Sequence, residues 1–366
     1  MSSVKYKDKK KYLWVLSTLL PILVISGVLL FRITHQQWTI FIPLIIIYIF
    51  IPGLDLIFSQ DQSNPPESAI ACLEKNRFYQ WITYLMLPMH FYGLYYVISF
   101  IANQNLSTWM IATLIYTLGV FGGLAINLGH ELGHKKSRFD KNMAKLALAS
   151  AAYGHFNIEH NAGHHKTVAT PMDSASAKFG ENIYQFAMRE IPGGLIRAWR
   201  IEKNRLNSKG LSFWSVNNQI LHSYGLTLII YALFLYFIGS IALWVLLLHT
   251  PFVWWQLTSA NYIEHYGLLR EKDKNGKYQR CLPKHSWNSN HLVSNLVLFH
   301  LQRHSDHHAN PTRHYQSLRH FDEAPQLPTG YMGMFIIAYI PILWRKIMDK
   351  RVLKLANNNF DHINHI

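Results

Sequence analysis

Six stretches of the chain run apolar for about the length needed to cross a bilayer, and polar, basic segments separate them. An α-helix needs about 20 apolar residues for the hydrocarbon core. Residues 13–31 form the first such run, from Leu13 to Phe31 without a charge. Residues 38–58 form a second, interrupted by Pro43 and Pro52; residues 81–102 and 109–129 form the third and fourth. The fourth runs without a break into His130. The fifth covers 226–248 and the sixth 250–267, shorter and more polar, with His249 and Pro251 suggesting a tight turn between them. The apolar stretch Tyr331–Trp344 is short and contains Pro341, so it reads as an interfacial or buried helix, with a seventh span as the alternative. Lys272 to Gln279 reads as an exposed turn around Asn275-Gly276. The pattern predicts an all-α integral membrane protein, a single domain over residues 1–366.

Charge orients this bundle. Lys5, Lys7, Lys9, Lys10 and Lys11 precede the first span, and Arg32 to Trp38 offers no small-residue cleavage site, so the first span is expected to be retained. Ala102 to Thr108 is uncharged, whereas Ser59–Gln80, Lys135–Tyr224 and the stretch after Leu269 are rich in Lys and Arg. Alternate loops are thus basic, which places both termini and the segments 130–224 and 268–366 in the cytoplasm, at a bacterial inner membrane. The net charge of +15 is read against a membrane before a nucleic acid, because a soluble nucleic-acid binder would not carry such apolar runs. No nucleic-acid partner is expected; the lipid bilayer is.

Composition adds one anomaly: 21 histidines, an expensive load for an apolar chain unless they are hydrogen-bonded or ligated. Three clusters stand out: His130-Glu-Leu-Gly-His134, His160-Asn-Ala-Gly-His164-His165, and His304-Ser-Asp-His307-His308. Helix positions i, i+3 and i+4 share a face, so each cluster can present two or three imidazoles to one point. His265, at the end of the sixth span, makes nine histidines at one membrane face. Nine imidazoles exceed the capacity of one metal, and two metals would take four or five each. Imidazole suits iron, copper, zinc and nickel alike; the apolar setting, the lack of thiolates and the room for oxygen favour iron. Glu131, Glu159, Glu264 and Asp306 beside the histidines are expected to accept the far N–H of a ligating imidazole, with direct bridging by one of them as the alternative.

Other readings constrain the choice. His130-Glu131-x-x-His134 also matches the zinc metalloprotease pattern, but a protease needs one further ligand, not seven more histidines. A metal transporter would carry ionisable residues within its spans; here they sit at helix ends. His35, His249, His362 and His365 are expected to be exposed or interfacial, while His155 and His291 are the strongest candidates for an outer role. Cys72 and Cys281 form no C-x-x-C, and no G-x-G-x-x-G occurs, so redox chemistry would draw its electrons from another protein.

The segments N-L-G-H-E-L-G-H-K-K (127–136), Y-G-H-F-N-I-E-H-N-A-G-H-H-K (153–166), N-Y-I-E-H-Y-G-L (261–268) and L-Q-R-H-S-D-H-H (301–308) carry a resemblance over nearly the whole chain. The sequence resembles the integral-membrane alkane hydroxylases, within the histidine-box desaturase and hydroxylase superfamily. The resemblance implies six transmembrane helices and a cytoplasmic non-haem di-iron site. It implies two iron ions, held by His130, His134, His160, His164, His165, His265, His304, His307 and His308, with molecular oxygen as co-substrate. The implied reaction is terminal hydroxylation of medium- to long-chain n-alkanes. Electrons would come from a separate rubredoxin, reduced by a rubredoxin reductase. A fatty-acyl desaturase or hydroxylase with the same metal chemistry is the alternative. Bulky residues on the second span, such as Tyr48, are candidates for a chain-length stop.

Overall fold

The computed structural model describes residues 6–366; Met1 to Lys5, including the first of the N-terminal lysines, lie outside the described residues. Among the described residues the chain is helical, with β-structure limited to isolated bridges. One such bridge, Lys272 to Tyr278, closes the expected turn, where Gly276 takes φ +73°.

Six helices are long and apolar enough to cross a membrane: Lys11–Thr34, Gln37–Ile57, Arg77–Asn103, Thr108–Gly133, Gln219–Ile238 and Ser240–His265. The first four lie over the expected spans. The last two correct the sequence reading of 226–248 and 250–267. The chain turns at Gly239 (φ +101°), and Pro251 lies inside an unbroken helix. Hydropathy cannot see a glycine corner between two apolar helices, whereas a prolyl residue draws the eye. Inside a membrane helix a proline is tolerated where nearby groups satisfy the backbone. Here Pro251 withholds an amide donor from the carbonyl of Leu247, and one residue back Thr250 Oγ1 and His249 Nδ1 both donate to the carbonyl of Leu246, at 2.8 and 2.6 Å. His249 is accordingly buried, against the expectation of an exposed or interfacial side chain. The fifth helix starts earlier than hydropathy suggests because Asn218 caps it, accepting from the amides of Ile220 and Leu221.

The fourth and sixth spans form the centre of the bundle and run in the same direction, so their C-terminal ends meet. Close approach is built into the fourth span: a Cβ at Gly119 would stand 2.3 Å from Phe252 Cβ, and one at Gly122 2.5 Å from Val253 Cγ2. Small residues at such seams let membrane helices pack backbone to backbone. The stretch after residue 330 does not continue as one straight helix. Tyr331–Ala338 and Pro341–Leu355 meet at 117°, and Tyr331, Met334 and Ala338 are fully buried.

Shorter helices and loops close the end of the bundle where the fourth and sixth spans finish. Asp55, buried at the end of the second span, accepts from Ser294 N at 3.0 Å and from Ser294 Oγ, pinning the helix Leu292–Val297. Gly330 passes so close that a Cβ there would meet Asp55 Oδ2 at 2.3 Å.

Candidate metal centre

His130 occupies the last turn of the fourth span, His134 follows it, and His265 ends the sixth. Two helix C-termini, with their partial negative charge, therefore point at the site and favour a cation there. The second motif departs from an ordinary helix. His160–His164 forms a π-helical turn in which the amide of His165 reaches back to the carbonyl of His160. A π turn brings i and i+5 together, so His160 pairs with His165 and His164 is released to the other side.

The result is two groups of ring nitrogens. His130, His134, His160 and His307 offer nitrogens that all lie within 4.8 Å of one another; so do those of His164, His265, His304 and His308. His165 joins the first group, its Nε2 standing 3.1 Å from both His160 Nε2 and His307 Nε2. Sequence spacing predicted that each motif would serve one point. Instead, the second and third motifs are each split between the two groups.

The donor set fits two metal ions. Two nitrogens at right angles on one metal, each about 2.1 Å from it, are about 3.0 Å apart. His130 Nε2 and His307 Nε2 are separated by 2.9 Å, His304 Nε2 and His308 Nε2 by 2.9 Å, and His265 Nε2 and His304 Nε2 by 3.2 Å. Among the described residues, the buried Nε2 atoms of His134 and His164 have no hydrogen-bond partner. Burial, reinforced by the surrounding imidazoles, pushes His160, His304, His307 and His308 well below the usual imidazole range. Neutral imidazoles with converging lone pairs lack a partner that only a cation supplies.

Two tautomers follow from the hydrogen bonds. His265 Nδ1 faces the carbonyl of His285 at 3.1 Å and must donate, leaving Nε2 free. His164 Nδ1 lies 2.9 Å from Asp173 Oδ2, which also accepts from Ser176 Oγ at 2.6 Å. Asp173 Oδ1 accepts from Arg197 at 2.7 Å. Burial alone would raise the Asp173 carboxyl, but His164 and these hydrogen bonds hold it below its ordinary value. Arg197 also binds Glu159 and Thr167 Oγ1, tying the motif to the helix Ile183–Asn207.

The four acids expected to hold far imidazole nitrogens do other work. Glu131 pairs with Lys135 at 2.8 Å and accepts from Tyr315 N. Asp306 holds Arg313, Asn310 and the amide of Arg319, and Glu159 holds Arg197. Only Glu264 touches a clustered histidine, and it does so at the inner nitrogen: its Oε2 is 3.3 Å from His304 Nε2. Asp173, which does hold a ligand-type histidine, was missed. Its one signal is that no other acid occurs between Glu159 and Glu181. His155 and His291 stand outside both groups, bound to Tyr224 and Ser289 respectively.

An apolar cavity runs from this centre into the bundle. His130 and His160 of one group and His304 of the other line its inner end, together with Glu264. Val120, Phe121, Leu124, Leu257 and Phe335 wall the rest. From His130 to Val120 the lining helix rises about 15 Å at 1.5 Å per residue. Ile47 is the second-span residue in the wall; the Tyr48 hydroxyl stands beside Tyr116 and Tyr339 and 3.5 Å from Gln256 Oε1.

A profile of the fatty acid desaturase family matches residues 107–338. Alkane 1-monooxygenase of Pseudomonas putida is 52% identical over 364 residues, covering 99% of this chain and 90% of that protein. Alkane 1-monooxygenase 1 of Alcanivorax borkumensis is 51% identical, covering 98% and 89%. The chain belongs to the alkane 1-monooxygenase family. The xylene/toluene monooxygenase hydroxylase component XylM of Pseudomonas putida is more distant, 28% identical over 74% of this chain and 73% of its own length.

For an alkane 1-monooxygenase, one buried acid lies behind the cavity wall. Glu190 accepts from Thr258 Oγ1 at 2.8 Å and from Asn261 Nδ2 at 3.0 Å, and Asn261 lines the cavity. Burial pushes Glu190 up to about 7, against the lowering effect of those two bonds. Its folded value therefore exceeds the unfolded value of about 4.3. Between these limits the folded state holds more protons than the unfolded one, so stability falls as pH rises and is flat above pH 7. Glu190→Gln is expected to remove this cost, which amounts to about 4 kcal/mol at most. Its thermal midpoint, compared with wild type, should gain little at pH 5 and several degrees at pH 8. An equal difference at both pH values would refute the assignment.

Proposed function

We propose that the chain hydroxylates the terminal carbon of medium- to long-chain n-alkanes at a non-haem di-iron site, using molecular oxygen and electrons from a separate rubredoxin served by a rubredoxin reductase. The proposed setting is the bacterial inner membrane, with both termini and the histidine centre on the cytoplasmic side. The observation that carries this reading is the meeting of one apolar cavity with both histidine groups.

His130, His134, His160, His165 and His307 would hold one iron, and His164, His265, His304 and His308 the other. Bound there, iron supplies the oxygen activation and C–H cleavage that no side chain can perform. The chain's own contribution is positional. The wall of Val120, Leu124 and Phe335 takes up an alkane from lipid, excludes water and leaves one methyl at the inner end. An alkane has no polar handle, so only length and shape are read. Asp173 and the carbonyl of His285 fix the tautomers of His164 and His265. Glu264 is the acid placed for direct ligation.

The deciding experiment combines metal analysis with isotope labelling. Purified protein should hold about two irons per chain, a count set by the imidazole number. With rubredoxin, its reductase, NADH, a medium-chain alkane and labelled dioxygen, it should yield labelled 1-alkanol. A single zinc with no oxygen-dependent product would refute the reading, and an unlabelled alkene would make the protein a desaturase.

The basic loops at the histidine end should steer an acidic electron carrier. Turnover at limiting rubredoxin is expected to fall by about tenfold or more between low and high salt, as steered association does. Turnover at saturating rubredoxin should change little. A flat response at limiting carrier would argue against steering.

A further inference from the structure

A cavity for alkanes needs no hydrogen bonds, yet three carboxamides line this one: Asn127, Gln256 and Asn261. Two of them stand at its inner end. Asn127 precedes His130 by three residues on the fourth span, and Asn261 precedes His265 by four on the sixth. At 1.5 Å per residue they lie about 4.5 and 6 Å along their helices from those histidines. Both spans run toward the centre, so both carboxamides sit about one turn into the cavity from it. Gln256 is about 14 Å from His265 on the same scale and stands outside this level.

The partners fix which way each amide faces. Asn127 Nδ2 donates to the carbonyl of Leu298 at 2.9 Å, and Asn261 Nδ2 donates to Glu190 Oε1 at 3.0 Å. A carbonyl only accepts, so Asn127 must turn its nitrogen there. Glu190, ionised above about pH 7, does the same for Asn261. Each carboxamide is left with its oxygen, Oδ1, and among the described residues no donor reaches either. Both side chains are buried. An acceptor without a donor is unfavourable in an apolar setting, and an alkane, which carries only C–H bonds, leaves it so. A primary alcohol supplies the missing donor, and its carbon chain still fits the apolar wall.

We propose that Asn127 and Asn261 form a subsite for the hydroxyl of a primary alcohol, which holds the product at the inner end more tightly than the alkane that precedes it. The inference rests on the reading above that the reaction places a hydroxyl on the terminal carbon at the centre. The new O–H then arises about one turn from two open acceptors. A hydroxyl has one hydrogen, so it uses one oxygen at a time, and either suffices. Alcohol that accumulates in the bilayer therefore competes with alkane for the cavity.

The test compares two isomers, 1-octanol and methyl heptyl ether, which share length and formula and differ in the O–H. Full-length, iron-loaded protein in nanodiscs, at pH 8 and without reductant, is titrated with each at equilibrium, and empty nanodiscs give the share taken by lipid. Wild type is expected to bind 1-octanol about tenfold more tightly than the ether. Asn127→Leu and Asn261→Leu should each narrow that gap by about two- to threefold, and the double variant should close it. The affinity for the ether should stay within about twofold throughout. Equal affinities for the two isomers in wild type, a comparison that needs no variant, overturn the proposal and assign the two oxygens to water. A gap that survives the double variant overturns it too, as does an equal loss for both isomers. If the gap closes as expected but octane yields no alkanol with rubredoxin, the subsite stands and the hydroxylation reading falls. If labelled alkanol forms while the isomers bind alike, the reverse holds.

Discussion

Asp173→Asn is expected to lower bound iron and alkane turnover by about ten- to a hundredfold, the usual cost of losing the partner that orients a metal-binding histidine. Asp173 accepts on both oxygens: Oδ2 from His164 and Ser176, Oδ1 from Arg197. An amide has only one acceptor oxygen. If that oxygen stays on His164, the new NH₂ faces the Arg197 guanidinium. If the amide flips, its N–H faces Nδ1 and forces the proton onto Nε2, the atom that points at the neighbouring imidazoles. Either arrangement disfavours a cation in the group of His164, His265, His304 and His308. Iron per chain, measured alongside turnover, separates this from a defect in alkane binding. Full iron content with normal activity would show that the carboxylate is not needed to orient His164.

Val120→Trp is expected to shorten the longest alkane that the protein accepts. Val120 is the lining residue of the fourth span farthest from His130, nearly three turns away. An indole there occupies volume that the end of a long chain would need. Steric exclusion of even one methylene is worth about 1–3 kcal/mol, so kcat/KM for the longest wild-type substrate should fall by about tenfold or more. Short alkanes should be affected little. Competition assays with alkane mixtures measure this directly; a uniform fall across all lengths would show damage to the helix seam and not a shortened cavity. Tyr48→Phe should leave the length profile nearly unchanged, because the Tyr48 hydroxyl touches Gln256 and Ile47 holds the wall position.

Much of this protein is written locally. Six apolar runs separated by alternately basic loops set the number of membrane helices, because the bilayer requires about 20 apolar residues and satisfied backbones whatever the tertiary packing. The residue types for the centre are local as well: His130 and His134, His160 to His165, and His304 to His308 are near neighbours in sequence, and a metal site needs several imidazoles at one place. Their division is not local. Adjacent His164 and His165 face different groups, and so do His307 and His308, because a π turn and the meeting of four chain segments decide which nitrogen faces which. Periodicity at i, i+3 and i+4 assumes an α-helix and cannot anticipate the extra residue in a π turn. Nor can hydropathy place the corner at Gly239, since a glycine between two apolar helices changes conformation without changing polarity. Asp173 was hidden for a third reason. It reaches His164 from a loop, and the neighbour that fixes it, Arg197, lies 24 residues further on. The sequence by itself determined the membrane span number and the donor atoms. Only the tertiary structure decided how nine imidazoles divide between two sites, which acid orients them and where the cavity meets them, because those depend on distances between helices that the chain order does not contain.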